Sequence, residues 1–397
     1  MNITVSLPAG LAEADLDNLQ NLLGYVSEDV LSFRIDRAAG QVELSVRETA
    51  DRQVIEEKVA QLVRKVRPLR KVQDAAHVAD RLAETAPCRD DVFRQLVEKR
   101  EVIEHAPGVF SLHGKLQRMF RRLDESLRNY ALEQGAEEVT YPVTISLGTL
   151  QKSKFFSHYP QFANFISVLE SDTDNISAAA KKLSSAEALD FLEHLKRPTC
   201  MCRSAGCLHA YPSYEGQVFA PGQTVAITMI GRMFRNEAAN IHSLERLHEY
   251  SMREIIYLGS PKFVRARLAG CIEWCKAYLL RFEMQGVIQT ANDPFFADNL
   301  AALQFFQRSE QSKYEFRLIN PTTANAVSVA SVNMHAEHFS KAHDIKFPGG
   351  DYIQTGCFGV GFERILFLTL AQFGYDEAGW PEALREFYFG PVVRSLP

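Results

Sequence analysis

GRMFRNEAANIHSLERLHEYSMRE, residues 231–254, is the stretch on which the fold turns. Arg235 and Glu237 stand two apart in the strand-like run TVAITMIGRMFRNE, which places them on one face of a strand. A polar loop follows, and the chain returns as a second strand-like run, LHEYSMREIIYLG, bearing Tyr250 and Glu254. An arginine fork can grip a phosphate bidentately, and a nearby carboxylate can accept a hydrogen bond from an exocyclic amine. An aromatic ring can cover a purine face. Together these residues describe a nucleotide seat, although R-x-E on a strand is, taken alone, more often a cross-strand surface pair.

The second element is GCFGVGFERILFLTLAQFG, in which Gly356, Gly359 and Gly361 precede a helix-like run beginning near Phe362. Glycines allow close backbone approach, and Arg364 near the helix start can reach a terminal phosphate. The spacing is G-x-G-x-x-R, not G-x-G-x-x-G, and no lysine completes a P-loop, so dinucleotide and P-loop folds fit poorly.

Outward from these two elements, LHGKLQRMFRRLDESLRNYALEQG carries Leu116, Met119, Phe120, Leu123 and Leu127 at helical spacing. It ends at Gly135 and runs into the strand-like EEVTYPVTIS, with Pro142 closing the helix-then-strand unit. VRARLAGCIEWCKAYLLRFEM reads as a long amphipathic helix. Residues 171–197 form a polar, alanine-rich helical insertion, read as a solvated pair of surface helices, with a lid or partner-docking element as the alternative. The first 75 residues alternate in a β-α-β-β-α order, which predicts a small α/β domain. Residues 76–94 read as a helical connector, and residues 95–397 as the main domain.

At 397 residues, with 46% hydrophobic and 23% charged side chains, the chain has the composition of a globular enzyme-sized protein. The net charge of −5 gives no global attraction to a phosphate backbone. No apolar run approaches 18 residues and MNITVSLPAG lacks a secretory pattern, so a cytoplasmic protein without a membrane partner is expected. The seven cysteines are then read as thiols or metal ligands. CMCRSAGCLHAYP, residues 200–212, holds Cys200, Cys202 and Cys207. A closed zinc site on these three lacks a fourth ligand at the usual spacing, and His209 lies too close to supply one. Cys271 and Cys275 sit four apart among apolar neighbours and read as packing. Cys88, in the connector, is uninformative.

Pro142 after its helix-strand unit, FRNE at 234–237 with YSMRE at 250–254, and GVGFER at 359–364 resemble the three ordered motifs of class II aminoacyl-tRNA synthetases. The likeness covers roughly residues 95–397, and RLHEYSMRE is most similar to the seryl branch. Archaeal-type seryl enzymes and the related amino acid:carrier protein ligases hold a catalytic zinc through Cys, Glu and Cys, and Cys207, Glu254 and Cys357 fall at those places. The resemblance implies an α+β fold, an antiparallel sheet flanked by helices and dimerised through the first motif, with the small α/β domain appended. It implies that Arg235 contacts the ATP α-phosphate, Glu237 the adenine amine and Arg364 the γ-phosphate, while Tyr250 stacks on adenine. Ser331 and Asn333, in ASVNMHAEHFSKAHDIKF, become candidates for contacts to substrate or ribose. The reaction implied is activation of a small amino acid to an aminoacyl adenylate, with Zn2+ recognising the amine and Mg2+ accompanying ATP. Here the sequence departs from the seryl pattern: Val327 stands where a magnesium-binding glutamate is expected.

The acceptor is a separate matter. A coiled-coil tRNA-binding arm would show two long heptad-bearing helices, and the N-terminus shows neither these nor a basic surplus. VRKVRPLRK, residues 63–71, is a local basic cluster of the kind common at solvated helix ends. Transfer to the phosphopantetheine thiol of a carrier protein is therefore the leading expectation. Seryl-type tRNA charging is the alternative, and a non-catalytic synthetase-like regulator is the second.

Overall fold

Alternation builds the N-terminal domain. In the computed structural model, which describes residues 1–66, 76–82, 91–184, 191–293, 311–391 and 396, β1 (Asn2–Ser6), α1 (Glu13–Leu22), β2 (Val30–Asp36), β3 (Gln41–Val46) and α2 (Arg52–Val66) follow in the expected β-α-β-β-α order. The strands pair antiparallel in the order β1-β3-β2. Every second residue of β3, Val42, Leu44 and Val46, turns inward onto Leu19, Ile55 and Val59 of the two helices. Of the basic cluster, Arg64 and Lys65 lie in the last turn of α2. Its residues 67–71 fall outside the described residues, as does Cys88.

The connector is not wholly helical. Residues 77–81 form β4 (His77–Arg81), which pairs antiparallel with residues 286–289 and makes one edge of the main sheet. HVADR carries no strand signature because an edge strand tolerates polar and charged residues, and its partner lies some 200 positions away in the chain. Helix α3 (Val92–Glu98) follows, its N-terminus capped by the Asp91 carboxylate, which accepts from the Arg94 amide at 3.0 Å.

Next come the hairpin of β5 (Val102–Ala106) and β6 (Val109–Leu112), then α4 (Gly114–Glu133) and the two-residue β7 (Glu137–Glu138). Helix α4 buries Leu116, Met119, Leu123 and Leu127, the face its spacing predicts, and its chain reverses at Gly135 with φ +79°. A minor sheet of β8 (Thr144–Ser146), β9 (Phe165–Ile166) and β10 (Cys200–Cys202) encloses α5 (Leu147–Lys152), α6 (Phe155–His158) and α7 (Thr173–Leu183) in sequence. The insertion at 171–197 therefore contributes α7, capped by Asp172, and a single turn over Leu192–His194, with residues 185–190 outside the described residues. The helix pair expected there is not formed among the described residues. His194 is instead pulled back onto α7 through Asn175, its Nδ1 lying 2.6 Å from Oδ1.

The main sheet is completed by β11 (Val225–Phe234), β12 (Glu249–Gly259), then α8 (Pro261–Arg281), β13 (Gly286–Thr290), β14 (Lys313–Ile319), β15 (Ala326–Ala336), α9 (His338–Ala342), β16 (Gln354–Gly361), α10 (Phe362–Phe373) and α11 (Glu382–Phe389). Its eight strands run β4-β13-β14-β15-β16-β12-β11-β7, antiparallel throughout except for β11 with β7. This is the expected antiparallel sheet flanked by helices. Ile255 and Tyr257 of β12, Phe358 and Val360 of β16, and Ala330 and Val332 of β15 face the helices α4, α8 and α10. Cys271 and Cys275 are buried in α8 within that layer, as packing requires. The intervening residues face the other way. No helix among the described residues is long and apolar enough to cross a membrane.

Candidate active site

Because side chains alternate along a strand, the residues opposite the helix layer line up across the sheet. Tyr250, Met252 and Glu254 of β12, Cys357, Gly359 and Gly361 of β16, and Ser331, Asn333 and His335 of β15 all line one cleft of about 2850 Å³. Not every glycine of the second element serves this cleft. A Cβ at Gly356 would meet Leu268 and Val264 of α8 at 2.9 Å, so that glycine admits a helix. A Cβ at Gly359 would lie 3.0 Å from Met252 and 3.6 Å from Glu254, so Gly359 keeps the cleft floor open.

Cys207, Glu254 and Cys357 converge on that floor, their donor atoms all within 4.8 Å of one another and all three residues buried. Cys207 starts a 3-10 turn after β10, and the turn points two amides at the carboxylate. Gly206 N–H donates to Glu254 Oε1 at 2.6 Å and Cys207 N–H to Oε2 at 2.8 Å. Burial pushes the Glu254 carboxyl up to about 6, the Cys357 charge adds to this, and the two amides pull it back. The Cys357 thiol is held well below its usual range by the thiol hydrogen of Cys207 and by His335, with Asn333 Nδ2 donating to its sulfur at 3.7 Å. Burial and that same donation push Cys207 up. Two sulfurs and one carboxylate, converging and partly ionised, fit the donor set of a zinc ion with ligand distances of about 2.0–2.3 Å. Cys200 and Cys202 stand apart, in β10 of the minor sheet.

Arg235 and Glu237 are not both on a strand: β11 ends at Phe234 and Glu237 begins the 3-10 turn Ala238–Asn240. Strand pairing stops after Phe234, and the chain beyond it turns through Ala238, whose φ of +45° is left-handed. Arg235 nevertheless lines the cleft, its Nε donating to Ser204 O at 3.2 Å and its guanidinium 5.0 Å from the Phe162 ring and 5.6 Å from the Tyr250 ring. Burial opposes the Arg235 charge, but Tyr250, Glu237, Asp293 and Glu254 around it raise its pKa on balance. Tyr250 leaves its buried hydroxyl without a hydrogen-bond partner, an orphaned group on the cleft wall. Arg364, in the first turn of α10, donates to the carbonyls of Glu245 and, at 3.1 Å, Ser328. Glu237 does not line the cleft. It is 2% exposed and paired with Arg246, whose NH1 lies 3.2 Å from Oε2.

Ser331 and Asn333 share the cleft face, Asn333 Nδ2 donating to Ser331 Oγ at 3.1 Å. Several wall residues escape the reading by motif. His335 continues the 331-333 alternation, with Nε2 3.7 Å from Cys357 Sγ and Nδ1 3.1 Å from Tyr211 Oη. Lys313, Glu315 and Arg317 of β14 form an alternating buried ladder, tied at its ends to Asp293 and to Asp17 of the N-terminal domain. The alternation K-x-E-x-R in KYEFR was the available signal for it. Val327 also lines the cleft, where the magnesium-binding acid was expected, and brings no carboxylate.

No family model matches the chain. It is 23% identical over 303 residues to amino acid–[acyl-carrier-protein] ligase 1 of Bradyrhizobium diazoefficiens, covering 76% of the chain and 91% of that ligase. It is 22% identical over 280 residues to the type-2 serine–tRNA ligase of Methanococcus aeolicus, covering 68% of the chain but only 54% of that ligase. Among solved structures, M. kandleri SerRS in complex with A. aeolicus tRNASec superposes with a TM-score of 0.68 at 21% identity, over 100% of this chain and 79% of that one. The cytoplasmic serine–tRNA ligase of Naegleria fowleri in complex with AMP gives 0.59 at 12% identity, over 87% and 80%. In sequence the chain is similar to type-2 seryl-tRNA ligases and to an amino acid ligase of acyl-carrier proteins, and its fold is that of the class II aminoacyl-tRNA synthetases.

Proposed function

We propose that the protein activates a small amino acid with ATP and passes the aminoacyl group to the phosphopantetheine thiol of a carrier protein. The observation that carries the first half is the Cys207–Glu254–Cys357 cluster facing the same cleft as Arg235, Tyr250 and Arg364. Zinc held by Cys207, Glu254 and Cys357 would offer an open position to a neutral amine nitrogen and so select α-amino acids. Arg235 would hold the substrate carboxylate against the α-phosphate, and Arg364 the far end of the triphosphate. The carboxylate oxygen attacks the α-phosphorus and pyrophosphate leaves. The negative charge that builds at phosphorus needs preorganised cations more than a protein nucleophile. Tyr250 would present its ring and its unpartnered hydroxyl to the nucleotide. Asn333 and Ser331 would keep the sulfur of Cys357 and the substrate oriented. Magnesium would enter with ATP, and no residue of this chain is assigned to it.

The carrier-protein half rests on coverage. The chain matches 91% of the Bradyrhizobium ligase, whereas it spans about half the length of the Methanococcus aeolicus tRNA ligase. One observation favours tRNA instead: the likeness to M. kandleri SerRS extends over all of this chain, N-terminal domain included. The test is amino-acid-dependent exchange of labelled pyrophosphate into ATP across all amino acids, with and without a chelator. Exchange with a small amino acid, lost on chelation and regained with zinc, supports the activation reading, and exchange that survives rigorous metal removal contradicts the role given to zinc. Offering the charged protein either total tRNA or a phosphopantetheinylated carrier protein then decides the acceptor, and transfer to tRNA alone would overturn the carrier reading.

A further inference from the structure

The N-terminal domain meets the cleft at Arg317 of β14, through Asp17, and more extensively at the loop between β11 and β12 that follows Arg235. Tyr25 Oη donates to Asn236 O at 2.6 Å, and Asn240 Nδ2 donates to Asn21 O at 3.4 Å. Arg246 is held from two sides: NH1 pairs with Glu237 and NH2 donates to Asn21 Oδ1. Ala239 of the loop packs into the apolar core of the N-terminal domain. Gly24 admits the loop, since a Cβ there would stand 2.4 Å from Asn240 Nδ2. The loop pays for this conformation with left-handed backbone at Ala238 (φ +45°) and Ser243 (φ +46°), which side-chain-bearing residues adopt only when held. One turn before Asn21 on α1, Asn18 is 6% exposed, lines the cleft and leaves its Nδ2 without a hydrogen-bond partner among the described residues. A buried donor in that condition calls for an acceptor.

We propose that the N-terminal domain is a working wall of the nucleotide site, with Asn21 the positioning residue that holds Arg246, on the cleft wall, toward ATP. The inference rests on the nucleotide reading above and extends it to a domain outside the three motifs. Asn21 Oδ1 accepts from Arg246, and the Asn21 carbonyl and Tyr25 hydroxyl fix the two shoulders of the loop. Without Oδ1 the guanidinium keeps only its pair with Glu237 and can pivot about it, and the loop relaxes toward ordinary backbone angles. Asn18 Nδ2 lies on the same wall as a donor for an acceptor atom of the bound nucleotide.

Calorimetric titration of the full-length protein with ATP and magnesium, without amino acid, tests this. Asn21→Ala should weaken ATP binding about tenfold, the scale of a lost hydrogen bond to a charged group. Asn21→Asp, which keeps an acceptor for Arg246, should restore most of it. Glu48→Ala, on the outer edge of the same domain, should change nothing. In the exchange assay Asn21→Ala should raise KM for ATP, with kcat at saturating ATP and KM for the amino acid retained. Wild-type affinity in Asn21→Ala overturns the inference alone. So does an equal loss toward ATP and amino acid without rescue by Asn21→Asp, because that marks a merely structural contact. A wild-type protein that binds no ATP overturns the nucleotide reading itself, and this inference with it.

Discussion

Replacing Glu254 by glutamine separates the carboxylate's structural duty from its duty as a ligand. Both oxygens are engaged by amides, from Gly206 at 2.6 Å and from Cys207 at 2.8 Å. Glutamine keeps one acceptor and turns an NH2 toward the other amide, forfeiting one charge-assisted bond, about 1.5–3 kcal/mol. Against this, the buried carboxyl is raised from 4.5 to about 6, so its ionised form costs the folded state about 2 kcal/mol at neutral pH. Glutamine removes that cost. The two effects offset to within about 1 kcal/mol, which for a chain of this size is a shift in Tm of no more than about 4 °C. The sign also fixes a pH dependence. A carboxyl whose pKa is higher folded than unfolded lets the native state bind more protons, so the zinc-free wild type gains stability as pH falls from about 6 toward 4.5. The variant lacks this gain. Zinc behaves differently: at a free concentration 100 times its Kd it should stabilise the wild type by about 2.7 kcal/mol and the variant far less. Thermal unfolding of stripped protein with and without zinc, together with metal content by mass spectrometry, measures both. A variant that keeps one zinc per chain and the same zinc-induced rise in Tm would refute the assignment of Glu254 as a ligand. A zinc-free variant melting more than about 10 °C below the wild type would refute the offsetting of costs.

Because Glu254 must shed its proton to bind metal, zinc affinity of the stripped protein should fall about tenfold between pH 7 and pH 5 from this group alone, more with the Cys207 thiol, as read by competition with a chromogenic chelator. Arg235→Ala and Arg364→Ala should each lower amino-acid-dependent pyrophosphate exchange by about 10²–10³-fold while leaving zinc content at the wild-type level. Exchange within a few-fold of wild type would remove that arginine from the proposed site. Arg253, with 1% of its side chain exposed, pairs with Asp124 at 2.6 Å and with Glu138 at 3.4 Å. Because Glu138 still shares the charge, Asp124→Ala should cost about 1.5–3 kcal/mol in denaturant unfolding, with Arg253→Met in the same chain recovering part of the loss.

The parts legible in the sequence are those in which chemistry and period coincide. The strand before Arg235, the strand of Tyr250 and Glu254, and the helix beginning at Phe362 lie where the patterns place them. The β-α-β-β-α order of the first domain does too, because each strand of its sheet has a neighbour nearby in the chain. Strand β4 was illegible because edge pairing is written in its partner. The seat of Glu237 was misread for a similar reason: an R-x-E spacing assumes the strand continues, whereas β11 ends at Phe234 and the loop beyond it packs on a domain far earlier in the chain. Arg246 lies in the polar loop, and its local sequence reveals neither of its partners, Asn21 and Glu237.

The pairing of charges along the cleft supports the proposal that Arg235 and Arg364 in particular would face a phosphate. Lys313 is neutralised by Asp293 and Glu315, Arg317 by Glu315 and Asp17, and Arg246 by Glu237. Arg235 and Arg364 are held by other means: a carbonyl and two aromatic rings for the first, two carbonyls for the second, and no carboxylate within 4.0 Å of either among the described residues. A carbonyl dipole or a ring face fixes a guanidinium in place without cancelling its charge. At Arg364 such an arrangement is unfavourable to an empty site, as its burial-lowered pKa reflects, and it becomes favourable once a polyanion enters; at Arg235 the surrounding Tyr250, Glu237, Asp293 and Glu254 outweigh burial.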